Sequence, residues 1–269
     1  MTDVSSDEAH IEASRAPLLD HLIELRMRLI RSLIAFAVLL VGCFTFATQI
    51  YNVLLLPYVW ASSQHGYPLP HLVFTEPLGF LITKIKLAAF GAGFLGFPII
   101  ATQIYRFVAP GLYKKEQRAF LPYLVATPVL FLIGAGVVFF LGMPAVMYYS
   151  LSMQQTGGDG QPSIELLAKV DSYLSLLMTL IFAFGICFQT PVILTILARV
   201  GFIDAAFLRR QRRYAIVIIF IIAAVLAPPD AFSMLALAVP TLILYEGSII
   251  AVAMIEKKEA QAREEASKS

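Results

Sequence analysis

Two glutamates set among basic residues are the side chains whose type and spacing best suit binding chemistry. Glu24 lies three residues after His21 and four before Arg28, which are both spacings that allow contact on a helix. Glu116 lies in the segment 103–118, surrounded by four basic residues, Arg106, Lys114, Lys115 and Arg118. A guanidinium group binds a carboxylate through two parallel hydrogen bonds, so both acids could receive arginines from a partner. Ordinary solvated pairs with neighbouring cations are the alternative, and the spacing alone leaves both open.

Three further side chains are candidates for contact with a partner. Phe107 stands just before the turn at Pro110, either as an anchor of its helix end or as a binding contact. Gln189 lies within an apolar run and therefore needs hydrogen-bond partners. These could come from the same fold, or Gln189 could line a pocket that receives a polar group from another helix. Glu246 is the one acid placed away from the ends of a predicted membrane span, and we group it with Gln189 as a candidate polar pocket for a partner helix.

Catalytic and metal-binding patterns are absent from the sequence. It contains no HExxH, GxxxxGK[ST], GxSxG or CxxC motif. His65 and His71 share a loop without further ligands, and Cys43 and Cys187 each lie in an apolar run, which favours a packing role. We therefore expect no enzymatic activity, no cofactor and no metal.

The elements that must position these side chains are membrane-spanning helices. The 269 residues are 59% hydrophobic and 14% charged, with a mean hydropathy of +0.79, whereas soluble domains carry about 25% charged residues. The sequence predicts an all-α, polytopic membrane protein. Six spans are predicted, over residues 29–47, 77–104, 119–143, 170–197, 214–227 and 231–255.

The remaining segments complete the predicted organisation. Residues 1–16 are polar and predicted to be disordered, and residues 17–255 form the membrane domain, which opens with an amphipathic helix. Polar loops are expected at 48–76 and 144–169, and a charged tail at 256–269. Pro191 should kink the fourth span by freeing the carbonyl of Cys187.

The distribution of charge predicts an orientation. Seventeen of the 20 lysines and arginines fall on one side of the predicted spans, which places both termini in the cytoplasm. The fifth span, at 14 residues, covers only about 21 Å, short of the roughly 30 Å hydrocarbon core. It should thin the membrane or lean on a partner, unless its helix starts near Leu208.

Four segments carry a resemblance to a known family. HLIELRMRLIRS at 21–32, FVAPGLYKKEQR at 107–118, SYLSLLMTLIFAFGICFQTPV at 172–192 and APPDAFSMLALAVPTLILYE at 227–246 resemble TatC proteins, the core subunits of the twin-arginine, Sec-independent protein translocase. The resemblance implies a glove-shaped, concave bundle of six helices in the bacterial cytoplasmic membrane. It also implies recognition of twin-arginine signal peptides and export of folded proteins driven by the proton-motive force. TatA- and TatB-type single-span subunits, other copies of the chain and membrane lipid are the implied partners, with no nucleic acid.

The resemblance also assigns roles to single residues. It implies signal-peptide binding by Glu24, Arg26, Phe107 and Glu116, and functional positions on the outer side at Pro57 and Asp230. Glutamate is frequent in the family where this chain has Gln189, which keeps a hydrogen-bonding role without a titrating group. Two rival interpretations are a secondary transporter of a small solute, suggested by Glu246, Gln189 and Pro191, and a scaffold without a transport role. No internal repeat supports the transporter.

Overall fold

The structure is a computed structural model that describes residues 4–64, 72–108, 121–154, 166–226 and 231–268. The described residues form ten α-helices, one π-helical turn and two short strands. In chain order they are α1 Val4–Thr45, α2 Ala47–Gln64, β1 Leu72–Val73, α3 Gly79–Val108, α4 Leu121–Val137, the π turn Val138–Gly142, α5 Met143–Ser152, β2 Ala168–Lys169, α6 Val170–Cys187, α7 Thr190–Arg199, α8 Ala205–Arg210, α9 Arg212–Leu226 and α10 Ala231–Lys268.

Five helical segments of the described chain are long and apolar enough to cross a membrane. They are His21–Thr45, Gly79–Phe107, Pro122–Ser152, Val170–Arg199 and Ser233–Lys258. Many large apolar side chains on them stay exposed, which is expected of surfaces that meet lipid rather than water. The mostly helical, multi-pass architecture predicted from composition is therefore confirmed.

Helix α9 has 15 residues and spans only about 22 Å, so it falls short of a bilayer core of about 30 Å. It does not extend back to Leu208, because the chain turns at Gln211 and Leu208 belongs to the separate helix α8. The side chain of Asp204 accepts a hydrogen bond from the backbone N–H of Phe207 and caps α8. Helix α9, which corresponds to the predicted fifth span, is therefore short because the residues before it form the separate, capped helix α8.

Both ends of the chain are more helical than expected. Helix α1 begins at Val4, where disorder was predicted over residues 1–16, and α10 continues to Lys268 through the segment expected to fray. Residues 4–16 include three alanines, two glutamates and one arginine, which favour helix. Because nucleation is the costly step, an adjoining helix extends into such a segment easily.

Helix α2 replaces part of the loop predicted at 48–76. Leu54, Tyr58 and Ala61 are buried at helical spacing, and Tyr58 stacks on Tyr173 of α6 with ring centroids 5.5 Å apart. The hydroxyl of Tyr173 also donates to the carbonyl of Leu54 at 2.8 Å. Packing against the bundle therefore stabilises α2 although the proline within it removes a backbone hydrogen bond.

The third span continues past Pro144, where a loop was predicted. A π turn precedes the proline and lets the helix continue. In it, the backbone N–H of Met143 donates to the carbonyl of Val138, five residues earlier. Pro144 then occupies the first turn of α5, where its missing N–H is not needed. The helix consequently runs on to Ser152.

The predicted break before Pro191 is confirmed. Helix α6 ends at Cys187 and α7 begins at Thr190. The hydroxyl of Thr190 donates to the carbonyl of Cys187 at 2.7 Å, so the carbonyl that proline leaves free regains a partner. This turn is also where Gln189 lies.

Helices α4 and α6 approach each other closely in the core. A Cβ added at Gly134 would lie 2.8 Å from the backbone oxygen of Phe184. Phe131 is fully buried beside this contact and stacks on Phe97 of α3 at a centroid distance of 3.9 Å. Glycine at position 134 therefore sets the distance between the two helices.

Contacts between helices distinguish the two ends of the bundle. At the end we call the basic end, His21 of α1 stacks on Phe107 of α3, and Arg199 of α7 lies over the ring of Tyr123. The opposite end, called the loop end, is where β1 pairs in parallel with β2.

Candidate functional site

Glu24 is held on α1 at the basic end by its neighbour one helical turn along. The Nε atom of Arg28 donates to Oε1 of Glu24 at 3.1 Å, and the Nη2 atom of Arg28 contacts the same oxygen. Of the two pairings that the sequence allows, the structure has the one with Arg28 rather than with His21. Oε2 of Glu24 accepts no hydrogen bond from the residues that the structure describes. With 34% of its side chain exposed, Glu24 can still receive a donor from outside.

Phe107 is fixed beside this acid by an aromatic contact. Its ring stacks on His21 with a centroid separation of 4.2 Å and an interplanar angle of 19°. The contact ties the last turn of α3 to the turn of α1 that carries Glu24. Arg26 is exposed on the same turn of α1. Three of the four residues predicted to bind a signal peptide therefore lie close together at the basic end.

Glu116, the fourth of these residues, and Asp230 lie outside the described residues. Their predicted roles remain predictions. Pro57 is described and is fully buried inside α2, towards the loop end.

Gln189 is buried, with 6% of its surface exposed, at the turn between α6 and α7. Its Nε2 donates to the carbonyl of Thr127 at 3.0 Å and to that of Gly185 at 3.3 Å. Its Oε1 is buried without a hydrogen-bond partner in the described chain. The amide NH₂ of Gln189 bonds within the fold, as the first interpretation expected. The amide oxygen is an unused acceptor, which the second interpretation, a pocket for a polar group from another helix, requires.

A second hydrogen bond extends this polar group across the bundle. The hydroxyl of Thr127 donates to the hydroxyl of Tyr105 on α3 at 2.8 Å. Polar groups from α3, α4 and the α6–α7 turn therefore meet within the apolar spans. The sequence signals Gln189 alone, because threonine and tyrosine are common in such spans without forming a network.

Glu246 has a different setting from Gln189, with which it was grouped as a candidate polar pocket. One of its carboxylate oxygens lies 2.6 Å from Nη2 of Arg212 on α9, and both side chains are half exposed. The pair joins α9 to α10, whereas the contacts of Gln189 are with Thr127 and Gly185. Among the described residues, no hydrogen bond connects the two sites.

Another ion pair between helices was likewise not foreseen from the sequence. At the loop end, Nζ of Lys86 lies 2.7 Å from Oδ1 of Asp171, which joins α3 to α6. The two residues are 85 positions apart, so no local spacing links them.

The spans and the charges at their ends define the class of the molecule as a multi-pass membrane protein with polar groups placed between its helices. The sequence profile described as "Sec-independent protein translocase protein (TatC)" matches residues 20–240. The chain belongs to the TatC family.

Individual relatives cover most of the chain. A Sec-independent protein translocase protein TatC from Magnetococcus marinus is 39% identical over 249 residues, which is 92% of this chain and 88% of the relative. The Rickettsia prowazekii protein of the same name is 39% identical over 88% of this chain and 92% of its own length. The Escherichia coli K12 protein is 34% identical over 86% and 85%.

A solved structure agrees with the fold as well. The crystal structure of a twin arginine translocase receptor, TatC, superposes with a TM-score of 0.73 at 35% identity, over 87% of this chain and 98% of that one. The predicted family is therefore confirmed. The alternative of a secondary transporter for a small solute finds no support in these relatives.

Proposed function

We propose that this chain is the signal-peptide receptor and core subunit of a twin-arginine protein translocase in the bacterial cytoplasmic membrane. Support comes from the names of its relatives and from the solved structure described as a translocase receptor. The single observation that carries the assignment within this chain is the carboxylate of Glu24, which keeps one oxygen available beside the His21–Phe107 stack.

The twin arginines of a signal peptide bind Glu24 and Glu116. One guanidinium donates to Oε2 of Glu24 while Arg28 remains on Oε1. Charge-assisted hydrogen bonds of this kind contribute about 1.5–3 kcal/mol each. Phe107 supplies an apolar face beside the peptide backbone, and Arg26 provides a donor on the same helical turn.

The apolar stretch of the signal peptide lies in the concave side of the bundle. A cavity of about 470 Å³ suits this role, because its surface is almost entirely apolar. It lies between α2, α3, α4 and α6, and its lining includes Ile50, Phe90, Phe94, Leu132, Phe139 and Ile181. A helical, hydrophobic segment gains free energy by leaving the bilayer only where side chains pack closely, which aromatic rings favour.

Partner subunits complete the machine. TatA- and TatB-type single-span proteins and further copies of this chain associate with it, and the proton-motive force drives the export of folded precursors. Six spans with cytoplasmic termini place the basic end in the cytoplasm.

Helix α9 is a suitable docking surface for a partner helix, because a 15-residue helix is shorter than the hydrocarbon core of the surrounding lipid. Gln189 and Glu246 provide polar contacts for partner helices, and Pro57 and Asp230 act on the outer side.

Site-specific crosslinking of a precursor tests the proposal. A photoreactive amino acid at position 107, in the full chain in membranes, should crosslink to a twin-arginine precursor near its arginine pair. The same probe at Phe202, an exposed phenylalanine on another loop, is the matched control and should give no crosslink.

Substitution of the second acid gives an independent measure. Glu116→Ala should weaken binding of a twin-arginine peptide about tenfold or more while the protein still inserts stably, and Glu116→Lys should weaken it further because it adds repulsion. Normal peptide binding by Glu116→Ala, together with no crosslink at position 107, would refute the assignment.

A further inference from the structure

A second cavity lies at the loop end, between the start of α2 and the first turns of α3. Its volume is about 200 Å³. A single water needs only about 10–15 Å³ of such space, so the cavity is large enough for a polar group of several atoms. Its polar lining consists of Thr48, Tyr51, Asn52, Thr83 and Lys84.

Thr83 places an unpaired hydroxyl at this cavity. The residue is buried, with 3% of its surface exposed, and its Oγ1 has no hydrogen-bond partner within the described chain. A buried hydroxyl without a partner is unfavourable, so such groups are normally hydrogen-bonded to protein, water or a ligand. Since Thr83 lines the cavity, a group that binds there can pair with its hydroxyl.

Lys84 indicates that a ligand of this cavity is negatively charged. Among the described residues that line the cavity it is the one with a charged side chain, and it lies on a segment long and apolar enough to span the membrane. Its Nζ lies 4.8 Å above the ring of Phe44, and no described carboxylate pairs with it. Lys86, two residues on, differs because Asp171 neutralises it. An unpaired cation within a span calls for an anion.

The surroundings of the cavity indicate where the anion comes from. Phe80, which lines it, and Leu81 and Ile85 beside it are exposed apolar side chains on the outside of α3. A ligand that enters past these residues has to carry apolar chains of its own. Basic pockets between membrane helices bind lipid head groups in this way.

We propose that this cavity binds the phosphate group of a phospholipid from the leaflet at the loop end. Lys84 holds the phosphate by charge, the hydroxyl of Thr83 donates to a phosphate oxygen, and Asn52 is placed to bind the glycerol region. The acyl chains run down the exposed face of α3. The site is separate from the proposed arginine-binding site at Glu24, which lies at the basic end.

Native mass spectrometry of the purified full chain in detergent tests this proposal. Phosphatidylglycerol should bind with a one-to-one component that Lys84→Gln weakens about tenfold, the loss expected for one charge-assisted bond. Thr83→Val, which removes the hydroxyl at nearly constant volume, should weaken it a few-fold. Lys169→Gln is the matched control, because it removes an exposed charge at the same end outside this cavity, and it should bind as the wild type does.

Three results would overturn the proposal. The first is unchanged phosphatidylglycerol binding by Lys84→Gln, and the second is an equal loss in Lys169→Gln, which would mean attraction to surface charge alone. The third is displacement of the lipid by an equal concentration of inorganic phosphate, which would mean a site for free phosphate. Melting of each variant without lipid verifies folding, and Lys84→Arg, which keeps the charge, should restore most of the affinity.

Discussion

The ion pair at Glu24 is the local feature that an incoming signal peptide has to accommodate. Arg28 already occupies one carboxylate oxygen, and it carries the same charge as the arginines of the proposed ligand. A pair at this helical spacing contributes only about 0.3–0.5 kcal/mol, so its loss hardly affects folding. Its effect on binding should be larger, because the cation of Arg28 repels a ligand guanidinium that approaches the other oxygen of the same carboxylate.

We therefore predict that Arg28→Gln strengthens binding of a twin-arginine peptide several-fold. The substitution frees Oε1 of Glu24 and removes a nearby positive charge that repels the ligand. Isothermal titration of wild type and variant with the same peptide measures the difference. If Arg28→Gln instead loses binding, the main effect of Arg28 is to position Glu24 and not to repel the ligand.

The unused acceptor of Gln189 leads to a second prediction. Gln189→Leu removes two hydrogen bonds but also removes a buried oxygen that has no partner, so stability should change by about 1 kcal/mol or less. Association with TatA- or TatB-type subunits should fall, because the acceptor for their polar groups is lost. Co-purification and thermal unfolding in detergent separate the two effects.

Thr195→Val is the matched control for Gln189→Leu. Thr195 is buried in the following helix, and its hydroxyl bonds only to the carbonyls of Pro191 and Val192 nearby. Partner association should be unchanged in this variant. Equal loss of partners in both variants would mean that general packing, not the amide, supports association.

At this scale, the sequence reveals pairs within one helix and misses pairs between helices. The Glu24–Arg28 contact was one of two options at helical spacing. The His21–Phe107 stack and the Lys86–Asp171 pair join residues about 85 positions apart. No periodicity within one helix encodes such contacts, because they depend on how α3 lies against α1 and α6.

Among the secondary-structure elements, the contact of α4 with α6 depends on one position without a side chain. Gly134→Ala should destabilise the protein by about 1–3 kcal/mol, because the new Cβ meets the backbone of Phe184 and the helices must separate. Gly136→Ala, two residues along the same helix, finds its nearest neighbour at 3.9 Å. It should be neutral or stabilise by up to about 1 kcal/mol, since alanine favours helix. Thermal unfolding in detergent compares the pair, and equal effects would contradict the close approach.

Helix boundaries show where sequence patterns are sufficient. Pro191 predicted the break between α6 and α7, since the missing N–H is a local property of proline. Pro57 and Pro144 suggested loops, yet helices pass through both positions. In the first case packing of α2 on the bundle outweighs the local cost, and in the second a π turn realigns the backbone. Both depend on neighbours that the sequence does not specify.

For the whole molecule, the orientation in the membrane follows from charge and can be measured. Cys43 and Cys187 are buried, so replacing both with alanine gives a background for labelling. Thr75→Cys at the loop end should react with a membrane-impermeant maleimide in intact cells. Ala260→Cys near the end of α10 should react only after the cells are opened, because the proposed orientation places the basic end in the cytoplasm. The opposite pattern would contradict the proposed orientation.

The family and the multi-pass architecture were accessible from the sequence because composition and long motifs are properties of the chain itself. The position of Glu24 beside Phe107 could not be predicted in this way, because it depends on the packing of α1 on α3.

The central claim is that two acids capture the twin arginines, and it can be tested by one titration. A fluorescent twin-arginine peptide is titrated against the wild type and against a variant with Glu24→Gln and Glu116→Gln, with a twin-lysine peptide and Glu76→Gln as controls. We predict at least a hundredfold weaker binding by the double variant, about tenfold or more for each acid, and no loss for Glu76→Gln. Wild-type affinity in the double variant would contradict the account.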